Sequence, residues 1–600
     1  MSIKNANLNR QDVDINYTYD LSDLCENNTD FLNQTEALLT QVSQFSEQYG
    51  NRSLNMDEIK TALSDYNDLW YRADILLNYA FLNQSVDLSN TENNEIAFRG
   101  DQIEAELTTR LQFFEDLLLK LPNENFKKLM VESPQFKGFL RNLKQKQKIA
   151  PNKKVEQTLN KLMPVLQGPS RLYGQVIGAD LTFEDFIVNG KTYPLSFSLY
   201  EDYYAFHHDT EVRRGAFDAF SKQLKNYQDT LAANYLNKVT SEKILADLYG
   251  FDSVIDYLLY NQEVSREMFD RQINLIMKKF GPIVQKYLRF LKDEHHLDQL
   301  TFADRLIDID FDYAPKVSID DSKDYIKNAL EPLGSDYQQL ILKGFDERWV
   351  DFTANKGKET GAFCAQPYQK KPKILLSWQN TLSDVYTLIH ELGHAGQGIL
   401  SSENHTYLDF NPSTYIVETA STFNELLLTD YLSRTSQTKQ QKRFALGKLF
   451  NNTYFHNFVT HLLEAAFQQK VYQLVDEGKS FNAEVLNQIK LDVLKKFYGD
   501  SLSYNEGAEL TWMRQSHYYM GLYSYTYSAS LTISTQEFLK FKENPAEERQ
   551  KWLDFLAIGN SLSPIDSAKK LDIDITTSQP LENTIDYFEK VVDEIIDLSN

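Results

Sequence analysis

From residue 385 to 399 the apolar positions Val385, Leu388, Ile389, Leu392, Gly396 and Ile399 recur three or four apart, the spacing of one buried helical face. Ser383 is the expected N-cap, and Asp384 is a first-turn acid matched to the helix dipole. On a surface helix the other side would carry Lys, Glu and Gln. Here it carries His390, Glu391 and His394 with the small residues Gly393 and Ala395, a composition suited to a helix that lines an interior cleft. A second apolar stripe, Ile416, Ala420, Phe423, Leu427 and Leu428, predicts another amphipathic helix. It carries Glu418 and Glu425, seven residues and about two turns apart on one face.

Elsewhere the pattern is also mostly helical. Residues 1–30 read as polar and partly irregular. From about 31 to 165, helical patterns such as "YNDLWYRADILLNYAFLNQ" alternate with short polar breaks. Residues 137–161 hold eight Lys or Arg and one acid, read as a solvated helix pair broken near Pro151. "LTFEDFIVNGKTYPLSF" is two β-rich runs meeting at Asn189-Gly190, a type I′ hairpin signal. Helices resume near 199. Residues 345–380 read as extended, with "GAFCAQP" and "KILLSW" as strands, so a small sheet directly precedes the histidine helix. The expected divisions are 1–114, a helical region; 115–198, a region ending in the hairpin; and 199–600, the domain carrying the chemistry.

Composition supports a mostly α fold: 600 residues, 42% hydrophobic, with only 15 Pro and 23 Gly. A net charge of −23 argues against a nucleic-acid backbone as partner. Two cysteines, Cys25 and Cys364, make no disulfide framework and fit a reducing compartment. The N-terminal stretch lacks an apolar signal region, and no apolar run approaches the ~18–20 residues of a membrane span. A cytoplasmic protein with no membrane partner is expected; the sequence leaves the oligomeric state open.

"HELGH" at 390–394 is an H-E-x-x-H motif, which arises by chance roughly once per hundred chains of this length, so its setting decides. Side chains at i and i+4 stand one turn apart, and both imidazoles can reach one zinc at ~2.0–2.1 Å. A catalytic zinc needs a third protein ligand and an open position. Leu400 occupies the place of a third histidine six residues on, Gln397 is a poor ligand, and His405 lies in a polar loop. Glu418 and Glu425 suit the task better, one for the metal and the other to bond a ligand imidazole. Between residues 517 and 527, "HYYMGLYSYTY" holds His517, Tyr518, Tyr519, Tyr523, Tyr525 and Tyr527, either an aromatic core or a polar cleft wall. Gly361 and Ala362, at an expected strand edge, could pair with a peptide backbone.

"TLIHELGHA", followed 28 residues on by "ETASTFNE" and then by "HYYMGLYSYTYS", resembles the M3 family of zinc oligopeptidases, and more closely its oligoendopeptidase F and group B oligopeptidase branch. The likeness runs from about residue 115 to near the C-terminus and takes in the "NGK" hairpin, "RRGAF" and "TGAFC". It implies a large multi-helix peptidase fold with a small β-sheet beside the zinc helix and an enclosed substrate channel. It also implies one zinc held by His390, His394 and Glu418, with Glu391 as general base. His517 and Tyr525 would be transition-state donors, assisted by Tyr518 or Tyr519, and oligopeptides the substrates. The chain departs from many oligoendopeptidase F sequences at Gln397, where they have histidine, and at Gly361-Ala362-Phe363, where they have Gly-Gly-Tyr.

The reading that follows is a zinc endopeptidase that cuts short peptides. An exopeptidase would need a fixed charge to grip a chain terminus, and none is legible. A helical peptide-binding protein with structural zinc would need a closed, Cys-rich site. Cys364, 26 residues before His390, could reach the histidines only through the fold.

Overall fold

The computed structural model describes residues 8–599 apart from 51, 312 and 314; the first seven residues of the expected irregular segment lie outside the described residues. Three long helices, Asn28–Tyr49, Met56–Ser85 and Thr91–Leu119, open the chain. Each begins on an asparagine whose side chain accepts first-turn N–H groups, satisfying donors that would otherwise be orphaned. Their apolar faces make one buried cluster, drawn from residues 19–143 together with Leu375. A second and larger cluster runs from Tyr173 to Ile595. The basic stretch is a helix pair, Lys137–Ile149 and Lys153–Leu166, broken around Pro151.

Among the described residues, five short strands interrupt the helices. β1 (Phe186–Val188) and β2 (Lys191–Tyr193) pair antiparallel across Asn189-Gly190. Both turn residues have positive φ, 50° and 75°, as the type I′ hairpin requires. β3 (Val350–Asp351), β4 (Phe363–Ala365) and β5 (Lys373–Leu375) form a sheet in the order β3-β5-β4, parallel on one side of β5 and antiparallel on the other. The fully buried Ile374 and Leu375 anchor β5, while β4 is left as an edge strand.

Six residues after β5 comes the histidine helix, Leu382–Asn404. Its N-cap is Thr381, not Ser383: the Thr381 hydroxyl accepts from the Asp384 N–H while the Asp384 carboxylate accepts from the Thr381 N–H. Two small hydroxyl residues stand two apart here, and the one that closes the reciprocal box caps the helix. Between residues 385 and 398 only Thr387, His390 and His394 are not buried. The helix is thus packed almost all round, with one narrow opening at the histidines.

The glutamate helix, Thr419–Thr435, packs directly on it. A Cβ on Gly393 would lie 2.6 Å from the Ser421 Cα and 2.7 Å from the Ala420 carbonyl oxygen, so only glycine permits this approach. That closeness sets Glu418 against the histidines. Gly393→Ala should therefore destabilise the fold by on the order of 1–3 kcal/mol by overpacking, despite alanine's better helix propensity. Thermal denaturation checks it; an unchanged or raised Tm would mean that the two helices can separate at little cost. No helix among the described residues is long and apolar enough to cross a membrane.

Candidate active site

The histidine helix, the glutamate helix, β4 and the tyrosine helix (Ser524–Glu543) surround one cavity of about 2180 Å³, well above the ~300–1,000 Å³ of ordinary small-ligand pockets. Nε2 of His390 and Nε2 of His394 lie 3.2 Å and 3.1 Å from one oxygen of Glu418. The three possible ligand atoms lie within 4.8 Å of one another. Glu418 is the residue preceding the helix, 3% exposed, and Ser421 donates to its carboxylate at 3.1 Å. His390 Nδ1–H donates to Glu425 at 2.6 Å, and the other oxygen of Glu425 accepts from Thr453 at 2.5 Å. Glu425 thereby directs Nε2 of His390 toward Glu418, the partnership a metal-ligating imidazole needs.

This donor set fits a metal: two nitrogens and one carboxylate oxygen close together, with a side open to the cavity. Burial opposes a charge on His390, but its bonds to Glu418 and Glu425 outweigh that and hold its pKa well above the usual imidazole range. Burial would also raise the pKa of Glu418, yet the two histidines pull it well below the ordinary carboxylate value. Both shifts mark a centre that draws positive charge. Glu391 is 6% exposed and lines the cavity beside His390. Burial raises its pKa, against the lowering effect of the two histidines, so this carboxylate takes up a proton more readily than a surface glutamate.

The remaining expected residues divide. His517, Gly361 and Ala362 line the cavity. Gly361 turns with φ 85° into β4, whose Phe363 and Cys364 also face the cavity. Tyr525 does not line it: its hydroxyl donates to Gln262 at 2.5 Å and its ring packs edge-on against Phe269. Tyr518 and Tyr519 are likewise outside, buried with their hydroxyls accepting from Lys490 and Asn234. Tyr523 and Tyr527 take the position expected of Tyr525. Four residues apart at the start of a helix, they share a face, while Tyr525 lies about 200° round from Tyr523. Tyr523 donates to Glu418 at 2.9 Å and stacks on His517, and Tyr527 bonds His517 Nε2 at 3.4 Å.

Of the alternative ligands, His405 bonds the Ala557 carbonyl at 2.8 Å and Gln397 is buried in the cavity wall. Cys364 is unpaired, and burial with nearby Glu391 pushes its thiol pKa up. His456, His461 and Glu464, which no sequence motif marks, stand behind His517.

Fold and site together define a metallopeptidase. The chain belongs to peptidase family M3, whose model matches residues 204–587. It is 26% identical to oligopeptidase PepF of Bacillus subtilis over 98% of this chain and 88% of that one. It is 25% identical to group B oligopeptidase PepB of Streptococcus agalactiae over 99% and 98%. The crystal structure of oligoendopeptidase-F from Enterococcus faecium superposes with a TM-score of 0.75, covering 95% of this chain and 99% of that one at 19% identity. The large helical fold is shared across nearly the whole chain.

Proposed function

We propose that this peptidase is a zinc-dependent endopeptidase that hydrolyses internal bonds of short, unfolded oligopeptides in the cytoplasm. The observation that carries the reading is the convergence of His390, His394 and Glu418, with Glu391 beside them, in the wall of a cavity spacious enough for an extended peptide. The names of the relatives, oligopeptidase and oligoendopeptidase, support the substrate class and the internal cut. Two unpaired cysteines support a reducing compartment.

His390, His394 and Glu418 would hold the zinc, which supplies an acidified water and polarises the scissile carbonyl when bound. β4 offers its free edge to the substrate backbone, with Gly361 and Ala362 at its entry. Glu391 takes the proton of the attacking water and carries it to the departing amine, a task its raised pKa suits. His517 and Tyr527, on the wall formed by the tyrosine segment, donate to the oxyanion. Tyr523 shares that wall and also steadies Glu418.

A mixed peptide digest tests the reading. New termini mapped by mass spectrometry should lie inside the peptides, and a native, folded protein should stay intact. Release of single terminal residues, or efficient cutting of a folded surface loop, would sink it. Tyr527→Phe should lower kcat by about 10²–10³-fold with KM little changed, as expected for an oxyanion donor. Tyr525→Phe, which removes only a bond to Gln262, should leave kcat within about threefold by the same reasoning. Steady-state kinetics on metal-loaded variants decide between them, and the reverse order of effects would return the donor role to Tyr525.

A further inference from the structure

Behind His517, the cavity wall contains a second convergence of imidazole and carboxylate. His461 Nδ1 lies 2.9 Å from one oxygen of Glu464, and His517 Nδ1 lies 3.5 Å from the same oxygen. The three ligand atoms fall within 4.8 Å of one another. The layout repeats the first centre, where two imidazole nitrogens meet one oxygen of Glu418. Separations of 2.9 and 3.5 Å bracket the roughly 3.3 Å between two ligands that sit tetrahedrally at ~2.0–2.1 Å from zinc.

Two further observations point to a ligand. His517 Nδ1 is buried and makes no hydrogen bond at its 3.5 Å approach. While the converging oxygen of Glu464 also accepts from Ser524 at 2.9 Å, its other oxygen, Oε1, is buried without a partner, a costly state for a carboxylate and an imidazole unless something binds them. Meanwhile the far nitrogens of both rings are engaged: His461 Nε2 is 3.0 Å from His456 Nε2, and His517 Nε2 is 3.4 Å from the Tyr527 hydroxyl. Such outer bonds fix which ring nitrogen faces a metal. The backbone is arranged for this. Residues Leu449–Thr460 form a π-helix, whose i→i+5 repeat sets His456 beside His461, and π-helical segments are frequent at functional sites.

We propose that His461, Glu464 and His517 form a second divalent-cation site that takes zinc, with His456 as the hydrogen-bond partner that leaves His461 Nδ1 free for the ion. His456, His461 and His517 all line the cavity, so an ion has a way in. A second consequence rests on the reading of His517 as an oxyanion donor. A cation held there fixes the ring against Glu464 and limits its movement toward the oxyanion, so excess zinc lowers turnover.

Equilibrium dialysis of the full chain against Zn²⁺, with metal counted per chain, is the test. Wild type should saturate at two equivalents, whereas Glu464→Gln and His461→Phe should each retain one, which also shows that they fold. Wild type that saturates at one equivalent, or variants that both keep two, would overturn the site. Kinetics then separate the two claims. Excess zinc should lower kcat of wild type and lose most of that effect in both variants. A two-to-one change in metal count with no zinc effect on wild-type kcat would uphold the site and overturn the role of His517. Inhibition equal in all three proteins would place it at the first centre and overturn the regulatory claim.

Discussion

Glu391→Gln should leave the metal bound and lower turnover by at least about 10²–10⁴-fold, the range for a lost general acid–base. The substitution keeps the shape of the side chain and removes its capacity to take a proton. His390 and His394 face Glu418, and Glu391 is not part of that convergence. Metal content is therefore expected to stay at the wild-type level for the first centre. Because the base acts in the chemical step, kcat should fall while KM changes little. Burial raises the Glu391 pKa, so proton uptake is favoured in the cavity where a surface carboxylate would stay ionised. Metal analysis combined with single-turnover kinetics checks both halves. Near-normal turnover in Glu391→Gln would require another base, and Cys364, with its thiol pKa raised by burial, is a poor one.

The candidate metal centre is the most legible part of the chain because its geometry is local. His390 and His394 are one α-turn apart, and Glu418 and Glu425 are two turns apart, so helical spacing alone set each pair on a face. That the two pairs meet depends on Gly393, whose missing side chain admits the Ser421 backbone; this contact is non-local and invisible to periodicity. The tyrosine segment shows the opposite case. Tyr518, Tyr519, Tyr523, Tyr525 and Tyr527 are alike as residues, and only the start of the helix at Ser524 tells which of them share a face. With that start known, the four-residue step from Tyr523 to Tyr527 could have been read. The His456 and His461 pair was hidden for another reason. Five residues on an α-helix are about 140° out of phase, and only the π-helical stretch realigns them. Local propensity does not announce a π-helix.

Glu418→Ala should lose the metal and with it all measurable turnover, while the protein keeps its helical circular dichroism. Glu418 supplies the oxygen on which both imidazoles converge, and its loss would leave a metal two nitrogens and no anionic ligand. The fold should survive because its two apolar clusters, one drawn from residues 19–143 with Leu375 and the other from Tyr173 to Ile595, are built of apolar side chains and include none of His390, His394 and Glu418. Strong chelation of wild type should give the same pair of results, and added zinc should restore activity only to wild type. Two companion variants give the loss its meaning. Glu425→Gln removes the acceptor that orients His390, and metal affinity should weaken by roughly 10–100-fold without vanishing. His405→Ala removes a bond to the Ala557 carbonyl, remote from the convergence, and should keep its metal. Retention of the first equivalent in Glu418→Ala, or its loss in His405→Ala, would reassign the third ligand. The ordering of the three affinities, and not activity alone, is what distinguishes a ligand from a residue that only steadies one.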